Sequence, residues 1–375
     1  MVSSSNSWDF LTLLPESNNV DMYKDVGMIP YTLSRDFGLH TAVASSNMDE
    51  NAASQLDMEN TRMDIIKLKK CNRFIAGLLF LLKNAGRIKV LNLYHGGKVV
   101  VVWAAVYKLL NPGGKVYLKL DMDFRYCEKL DKDRKYRKTF RKALELVDNV
   151  SVESAQIRSR ICKYTDKSID IIYNGYFDAG LQAFNAGQKE DIFLTVGRLG
   201  TEQKATEVLL EAFAKSASEH NWKLVLVGKL EEEFKTYLNR FEEDHMELSE
   251  RINFVGALYN KQELFKLYDK AKVFVLPSRW ESFGIVAVEA LSRGCSLILS
   301  EEVAPCDEFT CNGIYGDIIP ADDEEALSSA MVRMARRQFN DNISLETAKY
   351  AEDVFNWKVI CNDLYLKLNY LTRGV

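Results

Sequence analysis

Glu281 and Glu289 are the side chains of this chain best placed by type and spacing to do chemistry, with seven residues between them. They flank a polar turn, Ser282-Phe283-Gly284, and an apolar run of helical length that starts at Ile285. One carboxylate falls before the helix and the other inside its first turns. Both can therefore reach one ligand lying across the helix N-terminus, where free backbone N–H groups favour anionic or hydroxyl-rich ligands. A sugar nucleotide is such a ligand.

A second set lies upstream. Thr195-Val196-Gly197 ends an apolar run, and the loop behind it carries Arg198 and Lys204 ahead of the next helical segment. Two cations beside glycine-permitted backbone at a helix N-terminus suit a diphosphate. Two more apolar runs stop at glycine. One ends at Gly228, and the other runs through Val255 to Gly256, with Ala257 and Leu258 following. Backbone without a side chain lets a base or ribose approach closely.

These residues need elements to hold them. Short, near-continuous, β-branched runs alternate with helix-length segments along the whole chain, as expected for parallel strands covered on both faces. Strands are expected at Trp8–Leu14, Thr41–Ser45, Val90–Tyr94, Val116–Leu120, Asn149–Val152 and Ile169–Ile172. A second series is expected at Ile192–Val196, Leu224–Val227, Ile252–Val255, Val273–Leu276 and Ser296–Leu299. The fold class is therefore α/β, with two Rossmann-like doubly wound domains, a division that 375 residues allow. The expected boundaries are 1–174, 175–352 and 353–375, the last being a helix that returns to the first domain. The hinge is placed at Asn174 to Asp178, with a polar stretch running on to Asp191. Two such domains facing each other would form a central cleft.

Composition narrows the function classes. A net charge of −4 argues against a general nucleic-acid binder. Seven scattered cysteines without a close pair fit reduced thiols in a cytoplasmic protein. Residues Met1 to Ser7 read as a short polar tail. The apolar run from Phe74 to Leu82 falls well short of the ~20 residues that span a bilayer. Any membrane contact would then be peripheral, at the inner face. The basic stretch from Arg125 to Lys142, with Arg134, Lys135, Arg137, Lys138 and Arg141, reads either as a solvated helix face or as a patch for an anionic surface.

The order strand–Gly–Arg–Lys, strand–Gly, strand–Gly, strand–Glu…Glu resembles the second domain of GT-B glycosyltransferases of the retaining family 4 type, also called glycosyl transferases group 1. The resemblance covers about 169–335. It implies that Arg198 and Lys204 bind the donor diphosphate and stabilise its charge as the glycosidic bond breaks. Glu281 would hold hydroxyls of the transferred sugar, and Glu289 the ribose. Gly197, Gly228, Val255, Leu258, Ser282, Phe283 and Gly284 would complete the donor site, with the amides around Phe283 and Gly284 meeting sugar or phosphate. No cofactor or metal is implied, the nucleoside-diphosphate sugar being substrate.

The resemblance is thinner in the first half. Gly27, in Lys24 to Pro30, stands where the family has a glycine-rich turn, without the second adjacent glycine. Where the family commonly has a histidine, this chain has Asp121-Met122-Asp123. Asp121 could bind a sugar hydroxyl or accept a proton, but when ionised it cannot donate as an imidazole does. His95, in Tyr94-His95-Gly96-Gly97, and Asp123 are the acceptor-side candidates. The aspartate pair also resembles a GT-A metal site, although Arg198 and Lys204 already offer the charge such a metal would supply. The implied reaction moves a hexose, uridine-linked in donor form by family habit, to a hydroxyl of a glycan, lipid-linked or protein acceptor, leaving an α-linkage. Alternatives are a non-catalytic GT-B subunit, and an epimerase or phosphorylase on the same architecture.

Overall fold

The computed structural model describes residues 7–49, 51–177 and 185–372. Residues 1–6 of the expected tail and 178–184 of the expected linker lie outside the described residues. The chain divides into two compact units, Met1–Phe177 with Asn356–Val375, and Asp178–Phe355.

The first unit carries seven strands: β1 (Trp8–Leu13), β2 (Thr41–Ser45), β3 (Met63–Lys67), β4 (Ile88–Tyr94), β5 (Lys115–Lys119), β6 (Asn149–Val152) and β7 (Asp170–Ile171). Their order is β3-β2-β1-β4-β5-β6-β7, and every pairing is parallel. The helices are α1 (Asp25–Phe37), α2 (Arg73–Asn84), α3 (Lys98–Leu110), α4 (Phe124–Lys132), α5 (Arg134–Leu146) and α6 (Ala155–Ile161). Phe10, Leu11, Leu91, Leu93, Val116 and Leu118 are fully buried in the central strands. Two-sided burial explains why these strands read as unbroken apolar runs. The strand order reverses between β1 and β4, so the crevice beyond their carboxyl ends is a natural ligand site.

The second unit has six parallel strands: β8 (Glu190–Val196), β9 (Lys223–Val227), β10 (Ile252–Gly256), β11 (Ala271–Leu276), β12 (Ser296–Ser300) and β13 (Gly316–Ile319). Their order is β10-β9-β8-β11-β12-β13, which puts the reversal between β8 and β11. The helices are α7 (Thr206–Ser216), α8 (Lys235–Asp244), α9 (Lys261–Lys270), α10 (Ile285–Ser292), α11 (Cys306–Thr310), α12 (Glu324–Arg336) and α13 (Asp341–Phe355). Phe193, Phe213, Trp222, Leu226, Val275 and Met331 meet in its core.

The last helix, α14 (Trp357–Thr372), belongs to the first unit and packs on α1. The Phe37 and Tyr365 rings lie 4.9 Å apart there, and Cys361 is buried facing the Ile29 carbonyl. A single helix expected from 353 is in fact two, α13 and α14, broken at Asn356, whose side chain accepts from the Lys358 N–H.

Two further expectations need correction. Gly27 is in no turn: α1 begins at Asp25, so Gly27 sits in its first turn. A Cβ there would lie 2.4 Å from the Met22 carbonyl oxygen. Gly27 thus lets the helix pack against the preceding Asn19–Tyr23 turn, and the close approach is to protein backbone. The edge strands β3 and β13 were not anticipated from the sequence.

Candidate functional site

Two loops meet at the β8/β11 switch point of the second unit. The loop after β8 runs from Gly197 to Ala205, and the loop after β11 from Pro277 to Gly284. They are joined by one backbone and one side-chain hydrogen bond. The Arg279 N–H donates to the Gln203 carbonyl at 2.9 Å, and Gln203 Nε2 donates to the Trp280 carbonyl at 3.0 Å. Arg279 also donates to the Glu202 carbonyl at 2.7 Å and pairs with Glu207 and Asp322. A third segment pins the second loop, since the Glu281 N–H donates to the Glu302 carbonyl and the Ala304 N–H to the Glu281 carbonyl.

This cross-linking brings Lys204 onto Glu281 as an ion pair. Glu281 is 9% exposed and also accepts from the buried Ser278 hydroxyl at 3.2 Å. The Lys204 stem lies over Gly197, where an added Cβ would be 3.1 Å from its Cε. Immediately after Lys204, buried Ala205 takes the left-handed conformation with φ 47°. A non-glycine residue held so is strained, and the fold over-determines it at the residue that aims the lysine. Arg198 is exposed, with Nη2 donating to Gln203 Oε1 at 3.2 Å. Among the described residues it has no carboxylate partner, so Arg198 is the uncompensated cation of the pair.

Gly228 adjoins the same place. Its φ of 147° and its contact with the Gly197 carbonyl leave no room for a side chain. Gly284, with φ 88°, starts α10 without a side-chain cap, so the first amides of that helix are open to a ligand. Ser282 is half-buried, whereas the Phe283 ring is buried edge-on against Phe309 at 4.9 Å. Phe283 can therefore offer a ligand its backbone only.

Glu289 stands apart from Glu281 in its partners. It is 1% exposed, ion-paired with Lys261 and hydrogen-bonded by the Tyr268 hydroxyl at 3.1 Å. Burial, with this carboxylate adjoining, keeps the Tyr268 phenol protonated far above its ordinary range, so the tyrosine donates. Val255 lies near the end of the edge strand β10, and Leu258 in the loop that delivers Lys261 to Glu289. Lys261 and Tyr268 were missed in the sequence because nothing local marks them; they face Glu289 only once α9 packs on α10.

In the first unit the candidates separate. Asp123 is 4% exposed and caps α4, accepting from the Arg125 and Tyr126 N–H groups while the Arg125 guanidinium grips it. That carboxylate is spent on structure, which corrects its placement on the acceptor side. Asp121 therefore gains no second metal ligand from it. Asp121 follows β5 and lies within electrostatic reach of buried Asp25 and Glu153. Lys119, fully buried, pairs with Glu153 at 3.1 Å and donates to the Ile172 carbonyl at 2.9 Å. Burial, opposed by the Lys119 charge and reinforced by the nearby Asp121 carboxylate, raises the Asp25 and Glu153 carboxyls above the ordinary range. His95 is exposed in the loop after β4 with φ 63°, against a cavity of about 490 Å³.

Residues 179–352 match the family model described as Glycosyl transferases group 1. An uncharacterized glycosyltransferase of Methanocaldococcus jannaschii is 32% identical over 166 residues, covering 39% of this chain and 40% of that protein. The chain spans about two fifths of the length of the curated relatives it matches there. Anabaena HepE, solved in complex with UDP, superposes with a TM-score of 0.72 at 16% identity, covering 97% of this chain and 100% of that one. Sucrose-phosphate synthase from Thermosynechococcus elongatus gives 0.69 at 18% identity, covering 98% and 100%. The two sheets and their helices are those of the GT-B fold.

Proposed function

We propose that this protein is a retaining, metal-independent glycosyltransferase that moves a hexose from a nucleoside diphosphate, uridine-linked, to a hydroxyl of a glycan, lipid-linked or protein acceptor, forming an α-linkage. The observation that carries this reading is the Lys204–Glu281 pair held at the β8/β11 switch point beside Arg198. As the glycosidic bond breaks, charge develops on the leaving diphosphate. Arg198 and Lys204 are fixed cations positioned for that charge, where a preorganised donor acts mainly in the transition state. Glu281 then meets hydroxyls of the sugar, and the open α10 amides meet sugar or phosphate oxygens. Glu289 retains lone pairs beyond those used by Lys261 and Tyr268, and takes the ribose hydroxyls. The matched family model, and the UDP in the HepE structure, support the donor class.

The test is turnover across a panel of nucleotide sugars with an acceptor library. Acceptor-dependent release of free nucleoside diphosphate, with an α-anomeric product by proton NMR, is expected, and EDTA leaves the rate unchanged. Donor binding without turnover on every acceptor would make the protein a non-catalytic subunit. Loss in EDTA restored by manganese would replace the cation pair with metal assistance.

The acceptor side of the proposal includes a peripheral contact with anionic lipid. Arg134, Arg137, Lys138, Arg141 and Lys142 line one shallow depression along α5 with Glu145. Binding to vesicles containing anionic lipid is expected to weaken steeply between low and physiological salt, as screening predicts for an exposed patch. Vesicle binding that ignores salt, or none at all, refutes the contact.

A further inference from the structure

Glu289 in α10 has one carboxylate oxygen on the Lys261 ammonium, and the other accepts from the Tyr268 hydroxyl at 3.1 Å. Glu289 is 1% exposed and Tyr268 is fully buried, whereas the Lys261 side chain is 29% exposed. Of the three linked side chains, the lysine is the one that reaches solvent. A ligand that comes to Glu289 from solvent therefore meets Lys261 as well.

The lysine stands against local preference. It is the first residue of α9, where the helix dipole disfavours a cation, and Glu263 is the residue of that turn that suits the dipole. Asn260 already caps the helix by accepting from the Gln262 N–H. What holds a cation there is the buried carboxylate, which needs a compensating charge. That need takes one N–H group of the ammonium, and the rest have no partner among the described residues. Glu289 keeps further lone pairs beside them.

The place agrees with the donor site. Lys261 follows β10, whose Gly256 carbonyl accepts from the Gly228 N–H at 2.9 Å, so α9 starts from the same carboxyl edge of the sheet as the Gly197 and Gly228 turns. A hydroxyl both donates and accepts hydrogen bonds, and a carboxylate answers the donation alone. An ammonium beside it answers the lone pairs. Neighbouring ribose hydroxyls present both needs together.

We propose that Lys261 is a donor-binding residue whose ammonium donates to a ribose hydroxyl oxygen while Glu289 accepts from the same diol, so that the pair selects ribose over deoxyribose. This rests on the glycosyltransferase reading and adds a specificity-determining residue to its donor site.

The experiment is calorimetric titration of the full chain with UDP, 2′-deoxy-UDP and 3′-deoxy-UDP, in wild type and in Lys261→Met. Loss of one charge-assisted contact is expected to weaken UDP at least about 10-fold in the variant. At least one of the deoxy nucleotides should weaken by less than about threefold, because the oxygen that the lysine meets is gone from it. Thermal unfolding checks the fold. Should Lys261→Met not fold, Lys261→Gln, which keeps an N–H donor for Glu289 without the charge, is read by the same criterion. An equal loss for all three nucleotides would assign the lysine to the phosphates or to the fold and overturn the proposal. Unchanged or tighter UDP binding overturns it too, leaving Lys261 as a counterion that ribose displaces. Wild type that binds no UDP sinks the uridine-linked donor reading itself, an outcome distinct from either variant result.

Discussion

Lys204→Ala is expected to lower kcat/KM for the nucleotide-sugar donor by roughly 10²–10³-fold, by analogy with deletion of one preorganised donor at a developing anion. Two losses combine. On the proposed roles, the leaving diphosphate keeps Arg198 but loses its second cation. Glu281, freed of its partner and accepting from Ser278 alone, then sets an uncompensated carboxylate beside the incoming phosphates. The fold should survive, because the loop is held without the lysine side chain through Gln203, Arg279 and Trp280. Steady-state release of nucleoside diphosphate reads the rate, and thermal unfolding reads the fold. A double variant, Lys204→Ala/Glu281→Gln, should be far less damaged than the product of the two single losses, since the residues act as one unit. Rates within about threefold of wild type in Lys204→Ala, with the protein folded, would remove the lysine from the machinery.

How far this was legible in the sequence follows from which forces are local. The central strands announced themselves because both faces are buried, as at Phe193-Leu194 and Val273 to Leu276. Two of the four edge strands, β3 and β13, did not. β3 reads Met63-Asp64-Ile65-Ile66-Lys67 and is mostly half-exposed or exposed, and β13 has four residues with Asp317 among them. An edge strand needs charge to discourage further pairing, and that charge erases the apolar run by which strands are read. The Lys204–Glu281 pair joins residues far apart in sequence. The sequence placed both residues on one ligand but did not pair them with each other; the pair closes through the Arg279 N–H to the Gln203 carbonyl and the Gln203 side chain to the Trp280 carbonyl.

Asp123 and Gly27 show the opposite failing. Asp followed by a helix is a capping signal, and the Asp123-to-Arg125 grip is local enough to have been read. Its nearness to Asp121 invited a shared chemical role instead. Lys119 and Glu153 did leave a trace, each being a charge at the carboxyl end of an apolar strand. A charge in that place must find a buried partner or a ligand, and here the two find each other.

Gly228→Ala is expected to destabilise the second unit by about 3 kcal/mol or more, the larger share of it steric. A Cβ there would fall 1.6 Å from the Gly197 carbonyl oxygen, and that oxygen belongs to backbone that cannot swing aside. Gly197 and Gly228 are both held in the ladder, by the Gly197 N–H to the Val227 carbonyl and the Gly228 N–H to the Gly256 carbonyl, each 2.9 Å. Relief would have to separate β8 from β9 beneath the Lys204 loop, so donor affinity should fall along with stability. Gly256→Ala is the internal control. Its φ of 82° is also unfavourable for an alanine, yet nothing lies within 4 Å of an added Cβ. Conformational strain alone costs about 1–2 kcal/mol. Thermal unfolding should therefore separate the two variants, Gly228→Ala falling by roughly 6–12 °C and Gly256→Ala by about a third of that. Equal shifts would mean that backbone conformation, rather than the contact between the β8 and β9 turns, is what glycine supplies at position 228.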